Sequence, residues 1–169
     1  MRHAGAFPQD VAYDPNPFVQ KVFERIGLAK VATSSEEARA WGFLRPTDGV
    51  TMDPDRLIAD AKRTALALVA SDFQPLAPRT ARVPGRSGIA AIELFLYQMH
   101  EGGFATDHDL VVGKQLAHVL TGGDVPAGTI ATEDRLLELE REAFLHLCGT
   151  EATLARIQNF LQTGKILRN

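Results

Sequence analysis

The sequence predicts an all-α protein of about seven helices in an irregular bundle. Three observations carry that expectation. Apolar residues recur at helical spacing through most of the chain, as in Leu57, Ala61, Ala65, Leu68 and Val69. Each such stretch opens on a Ser, Thr, Asn or Asp that can accept from free backbone amides. Most close on glycine, which takes the left-handed conformation that ends a helix. No stretch shows the sustained alternation of a half-buried strand.

Residues 1–16 contain little periodicity, and with Pro8 and Pro15 they read as an extended or poorly ordered arm. The helical domain is expected over 17–169. Asn16 is positioned to cap a first helix with Pro17 at its first position, and Phe18, Val22, Ile26 and Ala29 fall on one face with Phe23 beside them. Ser34 and Glu37 have the spacing of a capping box, and Gly42 can end that short helix. Asp53-Pro54 starts a longer helix carrying the Leu57–Val69 stripe. The stretch 74–88, "QPLAPRTARVPGRSG", holds three prolines, three arginines and two glycines and reads as a linker. Ser87 can cap the next helix, ended by Gly102-Gly103. Its run Leu94, Phe95, Leu96 and Tyr97 is apolar nearly all round, which suits a buried central helix. Thr106 with Asp109, Thr132 and Thr150 cap the last three, and Gly164 ends the final one.

Bulk composition narrows the function. Of 169 residues, 45% are hydrophobic and 23% charged, an ordinary globular balance. A net charge of −3 supplies no basic field for nucleic acid or anionic lipid. No apolar run approaches the roughly 20 residues that span a bilayer. The lone Cys148 precludes an internal disulfide and fits a reducing cytoplasm.

The order and spacing of several segments resemble a known family. "AKVATSSEEARAWGFL", from Ala29 to Leu44, resembles the stretch that closes the spiral core of the crotonase (enoyl-CoA hydratase/isomerase) superfamily. The helix with Leu57, Ala61-Lys62, Ala65 and Ala67 is similar to the one that follows there. "VPGRSGIAAIELFLYQMHEGGFATDHDLVVGKQLAHVLTGGD" and the Leu139–Lys165 stretch are similar to the tail of bacterial 3-hydroxyacyl-CoA dehydrogenase/enoyl-CoA hydratase fusion enzymes of fatty-acid β-oxidation. The resemblance covers Pro17 to Asn169. It implies the C-terminal helical part of the hydratase half, whose catalytic amides and carboxylates lie upstream in a β-rich core. The expectation is therefore a fragment with no catalytic residues of its own, contributing cleft walls and subunit contacts. A CoA thioester and NAD are implied for the full-length parent, and no cofactor for this chain. The chain itself has no G-x-G-x-x-G dinucleotide fingerprint.

Candidate binding residues follow. Arg79, Arg82 and Arg86 cluster before a helix start, where phosphate is favoured; a solvated linker packing on its own core is the simpler explanation. Phe160 and Lys165 match positions where the resembling family places an aromatic and a basic residue near CoA; a helical core Phe and a Lys balancing a helix C-terminus explain them too. Arg86, Phe160 and Lys165 are thus the candidate acyl-CoA contacts. His100, His108, His118 and His146 lack metal-ligand spacing and suit surface or cap positions, so no metal site is expected. Cys148 suits a buried, inert position. "RLLELERE" (Arg135–Glu142) reads as a salt-laced solvent face. Helices cut from a core leave apolar stripes wet, so the expected partner is a second copy of the chain or the missing crotonase core. A free-standing helical interaction module is the alternative.

Overall fold

Local capping sets most of the helix boundaries in the computed structural model, which describes residues 13–75 and 77–169. Seven helices and one two-stranded sheet are found among them: α1 (Asn16–Gly27), α2 (Ser35–Ala40), α3 (Leu57–Ala70), β1 (Thr80–Arg82), α4 (Gly85–Glu101), α5 (Asp107–Leu120), β2 (Ile130–Thr132), α6 (Glu133–Cys148) and α7 (Glu151–Thr163). The protein is all-α, as expected. Thr106 and Asp109 form a complete reciprocal capping box on α5. Thr132 and Thr150 accept from the amides of Arg135 and Thr153. Gly42 and Gly164 follow α2 and α7 in the left-handed conformation.

Several ends differ from expectation. The free amide at the start of α1 is taken by the Asp14 carboxylate, which accepts from Asn16 N at 2.9 Å, so Asn16 lies inside the helix. Asp53, by contrast, caps as expected, accepting from Asp55 N at 3.0 Å ahead of the 3₁₀ turn Pro54–Arg56. Both are Asp-Pro-X starts, with the acid before the proline as cap. Ser34 caps α2, but Glu37 reaches past it to the amide and hydroxyl of Thr33. The expected arm lies largely outside the described residues.

The chain divides into two compact units. One comprises the residues up to Lys30 with Arg79–Asn169, and the other is Val31–Pro78. In the first unit α5 is central, packed on α4, α6 and α1. One core cluster joins Phe23, Ile92, Leu96 and Ala117; the second joins Val83, Ala131, Leu136 and Leu139. Phe23 meets Phe95 edge to face, with ring centroids 6.2 Å apart. Phe23 and Val19 thus face the core, whereas the expected inward residue Ile26 is half exposed. Helix α4 is not buried all round: Ile92 and Leu96 are buried, but Leu94 and Tyr97 are each 60% exposed. Its partners cover one face only.

The 74–88 stretch is more than a linker. Thr80–Arg82 pairs antiparallel with β2 in the register Thr80↔Thr132, Ala81↔Ala131 and Arg82↔Ile130. Strands this short leave no readable period, and their partners lie far apart in the chain. Helix α4 begins at Gly85 rather than after Ser87. A side-chain cap is not needed there, because the amides of Gly85 and Arg86 donate to the carbonyls of Thr121 and Val125, each at 3.0 Å. Ser87 instead donates its hydroxyl to Pro84 O. Gly85 has a φ of +55°, and a Cβ on it would sit 2.1 Å from Val125 O. Only glycine fits this joint.

The second unit contains α2, the 3₁₀ turn and α3. Arg39 donates to Asp48 O at 2.7 Å and Thr51 to Asp60 at 3.2 Å, tying its loop to both helices. Neither α2 nor α3 has a buried residue.

Candidate functional site

Three helices of the first unit build an open apolar groove. Helix α5 forms the floor with Val112, Leu116 and Val119. Helix α1 forms one wall with Phe18, Val22 and Ile26, and α6 the other with Leu137, Phe144 and Leu147. The space between them is about 930 Å³. The groove follows from the packing order: α1 and α6 both lie on α5, and each carries more apolar residues than its core contact covers. Phe23 and Leu139 are buried in the core, whereas Val19, Leu136 and Ala143 pack inward and also line the groove. Ile26, Leu137 and Phe144 remain 50%, 55% and 59% exposed.

The groove lining carries charges of both signs. Lys21, paired with Glu24 at 3.5 Å, and Arg25 belong to α1, Arg82 to β1, and Glu133 and Glu140 to α6. Asp109 and Arg156 complete the lining. Arg156 Nη2 lies 2.8 Å from Asp109 Oδ1, and Asp109 Oδ2 accepts from the Thr106 amide at 3.0 Å. Burial works against the Asp109 charge, but the Thr106 amide and the Arg156 guanidinium outweigh it and hold the carboxyl below its ordinary value. Arg156 also donates to Asn169, and Arg168 donates to Phe104 O at 2.8 Å, which straps residues 165–169 against the start of α5.

The expected binding residues are not gathered here. Arg86 stands in the first turn of α4 and pairs with Asp124, both largely exposed. Phe160 is exposed on α7. Lys165 follows Gly164, its amide donating to Thr163 Oγ1 and its carbonyl accepting from Asn159. None of the three lines the groove. Arg82 does line it, and its guanidinium donates to Gly128 O at 3.3 Å. His108 is buried and pairs with Thr153 at 2.8 Å between α5 and α7. His100 meets Asp107 at 2.8 Å; that hydrogen bond raises its pKa, and Glu101 adds to the effect. Cys148 is a half-buried free thiol. Among the described residues no three His, Cys, Asp or Glu side chains are grouped to hold a metal ion, and no helix is long and apolar enough to cross a membrane.

The groove residues were visible in the sequence only as surplus. Phe18, Val22 and Ile26 form a stripe expected to face the core, and Leu137 lies within the stretch read as a solvent face. The signal was two adjacent apolar rows on one helix, more than a single core contact requires.

Fold and groove together define a helical domain that presents an open apolar groove. Over 157 residues, 93% of its length, the chain is 43% identical to a probable 3-hydroxyacyl-CoA dehydrogenase of Bacillus subtilis (strain 168). It spans 20% of the length of that protein. No family model matches the chain, and no solved structure matches it.

Proposed function

We propose that this chain is a helical portion of a fatty-acid β-oxidation enzyme of the 3-hydroxyacyl-CoA dehydrogenase/enoyl-CoA hydratase type, acting with a catalytic core that other residues supply. The observation that carries this reading is the 43% identity over 93% of the chain to a much longer protein, of which it spans 20%. The uncovered helix α3 and the open groove support it, since both are surfaces suited to packing on more protein. The assignment to the hydratase half rests on the crotonase-like order of Glu37-Ala38, Gly42-Phe43 and Ala61-Lys62. In this reading the whole enzyme uses NAD and a CoA thioester, in the cytoplasm, and Arg86, Phe160 and Lys165 contact CoA at the rim of a shared cleft. A guanidinium and an ammonium suit its phosphates.

The test has two parts. Removing the matched region from the Bacillus subtilis protein should abolish its assembly or activity, and this chain added in trans should restore it. The chain alone should turn over neither crotonyl-CoA nor a 3-hydroxyacyl-CoA with NAD; turnover comparable to a whole hydratase would end the proposal. Calorimetric titration of the complemented enzyme with CoA should show weaker binding for Arg86→Ala and Lys165→Ala. A second reading, a free-standing interaction module, is favoured by the first unit having core clusters of its own. A pull-down that recovers a core-like partner supports the enzyme reading over it.

A further inference from the structure

We draw no further inference here: the strongest candidate, the open apolar groove between α1, α5 and α6, carries charges of both signs along its lining, and nothing in the structure shows what covers it.

Discussion

Helix α4 buries Gly85, Gly88, Ile92 and Leu96 against its neighbours, whereas α3, with 14 residues, buries none. Both helices are rich in Leu, Ile and Ala, and both show an apolar stripe. The difference shows that such a stripe records a demand for a partner, not the presence of one. Helix α3 leaves Leu57, Ile58, Leu66, Leu68 and Val69 in water. A helix of that length is marginal by itself, since nucleation is costly and packing supplies most helical stability in proteins. Stability in this chain is therefore concentrated in the first unit.

The largest expected effect tests that contrast directly. Leu139→Ala, at a side chain only 1% exposed, should cost about 2–5 kcal/mol in urea unfolding. Leu66→Ala, on α3, should change stability by less than about 0.5 kcal/mol. Amide hydrogen exchange should show slow exchange along α4 and α5 and fast exchange along α3. Slow exchange in α3 of the isolated chain would break the comparison.

A smaller effect is expected from Arg156→Ala, about 1.5–3 kcal/mol, because it withdraws a charged hydrogen-bond donor from a partly buried carboxylate. The pH dependence sharpens this. Asp109 has its pKa lowered on folding, so its contribution is present above the ordinary value of 3.8 and is lost as pH falls through the lowered one. In Arg156→Ala, NMR should find the Asp109 pKa moved upward, and the gap between parent and variant should narrow in acid.

The smallest effect concerns His100. Its folded pKa is raised above 6.5 by Asp107, with a further contribution from Glu101. Its contribution is therefore complete below about 6.5 and fades as pH rises through the raised value. Asp107→Asn should bring the His100 titration, followed by NMR, back toward the ordinary histidine value. An unchanged titration would show that the Asp107 contact does not govern it.

The sequence made legible whatever is decided within a few residues. Ser34, Thr106, Thr132 and Thr150 cap their helices because hydroxyl and amide are three positions apart, and Gly164 ends α7 for equally local reasons. What stayed hidden depends on distant partners. Phe23 rather than Ile26 points inward because α4 brings Phe95 to meet it. Helix α4 dispenses with Ser87 because carbonyls of Thr121 and Val125 receive its first amides. The groove was hidden for the same reason: Phe18, Val22 and Ile26 become a wall only once α5 and α6 are placed opposite them. Arg86, Phe160 and Lys165 came from a family likeness, and the structure sets all three outside that groove.

The small ladder between Thr80–Arg82 and Ile130–Thr132 has one more consequence. It ties off a loop of about fifty residues, so the α4–α5 hairpin is an excursion whose two ends are held together by strand pairing. Doubling such a loop adds only about 0.6 kcal/mol of closure entropy. At the hairpin tip, Gly103 has a φ of +73° and open space where a side chain would stand. Natural insertions, or new chain ends made by circular permutation, are best accommodated there, where the tie at the base keeps the returning helix in register.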